Sequence, residues 1–318
     1  MEALGEDAFR ALVSRYAHLR AEYGEDIGSP ELLRPTGQHF PDPFTRDPES
    51  VARLLKRMIS YAPLADDLAV GIRFREAEGD AGGSCSTGGC GAGGANAGPR
   101  DGVTELQDGY IVEVDVADVG NGVLLTTSLA RSVGTMVLME AGEECDPCER
   151  GSLSELAAVV TGFGLLLVAG AYVYGKSCGG VRVHQATHLG LEELALALSL
   201  FVREHDIKPA RARAHLETTQ REAFDEALAW LDSNPEIIAA LKKNPRVLAE
   251  GIFTIAPVRG LFGRFLAKRR AGEPSLGELV GARKTRARTA EEEKRLAETR
   301  ALVEDALGEG STGARAAR

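Results

Sequence analysis

Residues 156–175 read LAAVVTGFGLLLVAGAYVYG, twenty residues without a charge. About twenty apolar residues is the length a bilayer core requires. A helix that is apolar all round is also what the centre of a large soluble domain contains. Gly162, Gly164, Gly170, Gly175 and Thr161 dilute the apolar density and let neighbouring backbones approach closely. The segment stands alone in mid-chain, between stretches that read as amphipathic elements. Its flanks carry a weak orientation signal, with Glu143, Glu144, Asp146, Glu149 and Arg150 before it and Lys176 and Arg182 after it. These features favour a buried helix in a soluble, cytoplasmic α+β protein. A single-span membrane protein is the alternative.

The chain has 318 residues, 44% hydrophobic and 26% charged, values that suit a globular fold with a substantial core. Aromatics are only 5%, with Trp230 alone of its kind, so the core is expected to be Leu, Val and Ala. The opening MEALGEDAFRALVSRYAHLRAEYG reads as an amphipathic helix and not as a charged n-region followed by an apolar h-region. The net charge is −10. Residues 251–318 hold fourteen Lys/Arg against nine Asp/Glu, or +5, which leaves −15 on the body. An acidic body argues against general nucleic-acid binding. The basic tail is expected to dock on that body or on another acidic surface. Within it GLFGRFLAKRR sets Leu261, Phe262, Phe265 and Leu266 against Arg264, Lys268, Arg269 and Arg270. Such a segment suits an anionic membrane, although packing on the acidic body is favoured.

Four regions follow from the pattern. Residues 1–75 hold a first helix over about 4–22 with Gly24 as its stop, a Pro/Gly-rich stretch, a helix opened by Asp47-Pro48, and a strand placing Val70, Ile72 and Phe74 on one face. Residues 76–102 form a Gly-rich, Cys-containing insert. Residues 103–250 open with a strand placing Tyr110, Val112, Val114 and Val116 on one face. A helix through LLTTSLARSVGTMVLMEAG follows, then the apolar segment with Ser152 or Ser154 as N-cap and Glu155 in the first turn. VRVH is extended; an amphipathic helix covers LGLEELALALSLFVREH, a long one opens at Pro209, and a short one starts at Asn234-Pro235. Residues 251–318 form the basic tail, with a charged helix over about 290–307 and a disordered end.

The order of sheet, helix and second helix resembles the minimal core of zincin-like metallopeptidases and of bacterial proteins related to them. The span VEVDVADVGNGVLLTTSLARSVGTMVLMEAG resembles their strand and HExxH helix, and ERGSLSELAAVVTGFGLLL the helix that supplies the third zinc ligand. In that motif two His bind zinc and the Glu is the general base. Here its five positions read Arg131, Ser132, Val133, Gly134 and Thr135, and Glu149 or Glu155 falls near the third-ligand position. A guanidinium does not ligate a cation. The resemblance therefore implies a degenerate site: a pseudoenzyme that acts by binding a protein partner.

Two other constellations compete. HQATH, His184 to His188, is HExxH with Gln185 at the base position, and would serve a metal-dependent hydrolase if it were helical. Extended VRVH before it and Gly190 after it argue against that placement. Of five cysteines, Cys85 and Cys90 are four residues apart within the Gly-rich insert, and Cys145 and Cys148 form CDPC. Cys85, Cys90, Cys145 and Cys148 are the candidate ligands of one structural zinc. Cys178 lies beyond a helix of about 30 Å and is not expected to join them. A cysteine redox module is the competing use of CDPC. The insert lacks the GK[ST] ending of a phosphate loop.

Overall fold

The computed structural model describes residues 5–76, 102–177 and 180–256. The Gly-rich insert with Cys85 and Cys90, Cys178, and the tail from residue 257 on, with its amphipathic segment and charged helix, lie outside them. The architecture is α+β: a small mixed sheet and a larger helical body.

β1 (Ala69–Arg75), β2 (Val103–Leu106) and β3 (Gly109–Asp115) form the sheet in the order β1-β3-β2. β1 runs parallel to β3, with Ala69 opposite Gly109 and Arg75 opposite Asp115; β2 runs antiparallel to it. The period-two pattern holds on β3, where Tyr110, Val112 and Val114 are buried and the alternate residues are not. Val70, Ile72 and Phe74 of β1 pack partly buried on the same core. Val116 does not extend that face. The strand ends at Asp115, and Val116 opens the short α3 (Val116–Val119), where it is 48% exposed.

α1 (Glu6–Ile27) is longer than the sequence suggests. Gly24 lies inside it, and Gly28, at φ 64, terminates it while donating to the Gly24 carbonyl. A left-handed residue just past the last turn is where glycine is favoured. α2 (Pro48–Ile59) starts as expected, with Asp47 as N-cap in a capping box with Ser50 and Pro48 in the first turn. α4 (Gly122–Glu140) is capped by the Asn121 side chain, which accepts from Val123 N and Leu124 N.

α5 (Pro147–Ala158) begins earlier than expected. Asp146 is its N-cap and accepts from Cys148 N, and Pro147 follows at the first position. The Asp-Pro pair therefore outcompetes Ser152 and Ser154, and Glu155 sits in the third turn. Residues 156–175 are not one helix. α5 passes into a π-helical turn, Val159–Phe163, then α6 (Gly164–Ala171), and the chain turns into β4 (Val173–Ser177). The break has a cause. Gly162 has φ 102, a Cβ on it would collide with the Glu31 carbonyl oxygen, and its own carbonyl accepts from Leu33 N at 3.0 Å. The stretch between α1 and α2 thus lies backbone to backbone on this helix, which only glycine permits.

β4 pairs antiparallel with β5 (Gly180–His184). α7 (Leu191–Glu204), buried over ten of its fourteen residues, packs on α6 and on α9 (Thr218–Asp232). The long helix expected from Pro209 is two: α8 (Pro209–Arg213), then α9, whose own start is fixed by Glu217 N donating to Gln220 Oε1 at 3.0 Å. α10 (Pro235–Lys243), starting at Asn234-Pro235 as expected, and α11 (Arg246–Ala249) complete the body. Gly122–Glu140 and Pro147–Ala171 are each long and apolar enough to cross a bilayer, yet 67% and 89% of their apolar windows are buried inside the protein. Each fully buried Leu or Val there contributes about 1.5–3 kcal/mol.

Candidate functional site

α4 and α5 cross closely because small residues meet at the crossing. A Cβ on Gly134 would strike the Ser154 carbonyl oxygen. One residue on, Thr135 Oγ1 donates to the Arg131 carbonyl at 3.0 Å and is hydrogen-bonded to Ser154 Oγ, also at 3.0 Å. Ser132 Oγ donates to the Ser128 carbonyl. All five positions from Arg131 to Thr135 are buried.

Arg131 lies one turn before Thr135 on the same face and reaches across to α5. Its Nε is 3.0 Å from Glu155 Oε1. Glu155 is fully buried, and its carboxylate also accepts from the backbone of the loop between β5 and α7: His188 N to Oε1 at 2.6 Å and Leu189 N to Oε2 at 2.8 Å. Arg131 Nη2 lies 2.7 Å from His188 Nε2. A guanidinium carries only donors, so His188 Nε2 is the acceptor in this bond. The imidazole in turn covers Gly151, where any side chain would collide with the ring. One buried ion pair thereby joins α4, α5 and the 185–190 loop.

The loop is not helical. His184 ends β5 and is exposed, while Gln185 Nε2 donates to the Thr187 and Leu189 carbonyls. HQATH therefore does not present its two histidines on one helix face, and Gln185 is occupied in holding the loop closed. Beside the cluster, Asp118 is half-buried on α3. Burial foremost, and then the negative charge of Asp115, raise its pKa, against the opposing pull of His184, Arg131 and Arg75.

Of the two carboxylates near the third-ligand position, Glu155 meets Arg131, whereas Glu149 is exposed and pairs with Arg15. Cys145 is half-buried and Cys148 exposed, both as free thiols. The helix starts inside CDPC and not several residues after it, but its N-cap is Asp146, and Cys145 precedes the cap. Among the described residues no group of three or more His, Cys, Asp or Glu side chains is placed to hold a metal ion. No protein family, curated protein or solved structure matches this chain.

Proposed function

We propose that the protein is a non-catalytic binding or scaffold protein built on a degenerate zincin-like core, in which the guanidinium of Arg131 takes over the charge that a metal would supply. The observation that carries this reading is the state of Glu155. Both its oxygens are engaged, by Arg131 Nε and by the amides of His188 and Leu189. A carboxylate so committed is neither a metal ligand nor a general base. The residues at the motif do not fit zinc: Arg131 and Thr135 stand where two imidazoles would be needed. In support of the reading, Arg131 and Thr135 both meet the Ser154-Glu155 turn of α5. The hydrolase alternative is weaker, because His188 would have to surrender Arg131 to bind a metal.

A cytoplasmic location, a protein partner and a structural zinc on Cys85, Cys90, Cys145 and Cys148 belong to the same proposal. Zinc near one equivalent, lost in Cys148→Ser and retained in Cys178→Ser, would support the cysteine site.

The decisive experiment restores the motif. An Arg131→His, Thr135→His double variant, loaded with cobalt, should acquire the visible absorption of a tetrahedral site, and Glu155→Gln in that background should remove it. The unmodified protein should show no peptidase activity. Hydrolysis by the unmodified protein that disappears in Arg131→Ala would overturn the reading.

A further inference from the structure

The imidazole of His188 sits in a socket, and the loop that carries it is fastened independently of the ring. Glu155 takes the amides of His188 and Leu189. Ala186 N donates to the Gly170 carbonyl at 2.9 Å, Thr187 Oγ1 to the Leu189 carbonyl at 2.8 Å, and Gly190 N to Glu193 Oε2 at 2.7 Å. The ring is held at its Nε2 edge. Nε2 lies 2.7 Å from Arg131 Nη2, and the same edge rests on Gly151, whose missing side chain makes the room. Residue 188 as a whole is exposed, so protons reach the ring from solvent.

We propose that His188 is a proton-operated latch over Arg131: the neutral ring closes on Arg131 and Gly151, and the protonated ring leaves them for solvent while the loop backbone stays in place. The short bond demands a lone pair on Nε2, because a guanidinium only donates. The neutral ring must therefore carry its proton on Nδ1. Protonation turns Nε2 into a donor facing a donor and sets two positive charges against each other at contact distance. The other charges around the ring come from four elements. Glu155 on α5 already serves Arg131 and two loop amides, and Glu193 on α7 serves Gly190 N. Asp118 on α3 lies in the field of Arg131 and of His184. His184, at the end of β5, adds positive charge when it protonates with falling pH. The bonds from the loop amides to Glu155 do not depend on the protonation of the ring. The latch rests on the contacts of His188 and not on the zincin likeness.

Ring-nitrogen NMR of the full-length protein, carrying isotope-labelled histidine, tests this from about pH 8 to about pH 5, across the ordinary range of an imidazole. At the alkaline end His188 should be the Nδ1–H tautomer with a hydrogen-bonded Nε2, and its ring protons should show NOEs to Gly151. As the ring protonates these NOEs should be lost, and the Gly151 amide shift should move in step with the ring. The amides of His188 and Leu189 should keep their hydrogen-exchange protection. In His188→Gln the side-chain oxygen accepts from Arg131 at every pH, and the Gly151 shift should stay flat. An Nε2–H tautomer at the alkaline end, an imidazolium that keeps its NOEs to Gly151, a loop whose amides lose protection with the ring, or a Gly151 shift that still follows pH in folded His188→Gln would each overturn the proposal. The tautomer and the NOEs are read in the wild type, so they decide the matter even if the variant fails to fold.

Discussion

Arg131 and Glu155 face each other across two apolar helices, Nε to Oε1 at 3.0 Å, with 8% and 0% of their side-chain surfaces exposed. Removing either partner alone leaves the other charge buried, a loss of about 3–5 kcal/mol, whereas removing both together costs far less than the sum. Arg131→Met and Glu155→Gln should each lower the denaturant midpoint strongly, and the double variant should lose much less than the two single effects added. Additive losses would mean that the pair is not coupled. Glu155→Gln should also loosen the 185–190 loop, because Gln has one acceptor oxygen where His188 N and Leu189 N now use two. Hydrogen exchange at these two amides reads that effect.

The pair is legible in the sequence after the fact. Arg131 is the one charge between residues 119 and 139, and Glu155 the one charge between residues 151 and 175. Two lone opposite charges on two apolar helices have to meet if both helices are buried, since an unpaired buried charge is prohibitive. Hydrophobic period finds β1 and β3, each with one face to bury, and the Asp47-Pro48 cap finds the α2 start, whereas β2 and β4 are not read from the sequence. Period could not find the break at Gly162, which depends on a backbone arriving from residues 31–33. The sequence places the cap at Ser152 or Ser154, next to the apolar run, whereas the Asp146-Pro147 pair starts the helix earlier. For His188 the motif offers a metal as the alternative reading, and the loop geometry sets its Nε2 against Arg131.

Gly134 sets the distance between α4 and α5. A methyl group there would overlap the Ser154 carbonyl oxygen and crowd Ala158, both on a buried helix backbone that has little room to yield. Gly134→Ala would gain about 1 kcal/mol of helix propensity on an exposed helix. Here overpacking should dominate, for a net loss of about 1–3 kcal/mol. Gly122→Ala on the same helix, where a Cβ meets nothing within 4 Å, is the control and should be near neutral. Equal thermal midpoints for the two variants would refute the close crossing.

His205 should make the protein acid-sensitive. Burial holds its imidazole below its ordinary pKa of 6.5, with Glu204 pulling the other way and Arg20 adding to the depression. A lowered folded pKa means that the unfolded chain binds the proton first. Stability is therefore intact above about pH 6.5 and declines as the pH falls through that value towards the folded pKa. Nearby, Glu204 accepts from Tyr16 Oη at 2.8 Å and Arg20 Nε at 2.6 Å. A protonated His205 would compete for that carboxylate and strain the contact between α1 and α7. His205→Gln should flatten the loss of stability between pH 6.5 and 5 relative to the wild type. An unchanged slope in the variant would place the acid sensitivity elsewhere.

Asn234 fastens the last described residues to the body. Its buried side chain binds Ala256 on both backbone groups, Nδ2 to the carbonyl at 3.2 Å and Oδ1 from the amide at 2.7 Å, and Nδ2 also donates to the Trp230 carbonyl at 2.9 Å. Arg10 from α1 holds the same stretch through the Gly251 and Phe253 carbonyls, with its guanidinium 5.0 Å over the Phe253 ring. The stretch thus ties α1 to the Asn234 corner between α9 and α10, next to the stacked rings of Phe9 and Trp230. A chain ending at residue 256 should keep the cooperative unfolding transition of the full-length protein. A chain ending at residue 250 loses both partners of Asn234 at Ala256 and both carbonyls held by Arg10, and should be destabilised by several kcal/mol, at about 1 kcal/mol or more for each bond lost with a buried group left behind. Asn234→Ala in the full-length protein should cost about 1–3 kcal/mol by the same argument. Indistinguishable unfolding of the two truncated chains would show that residues 251–256 are not part of the fold's stability.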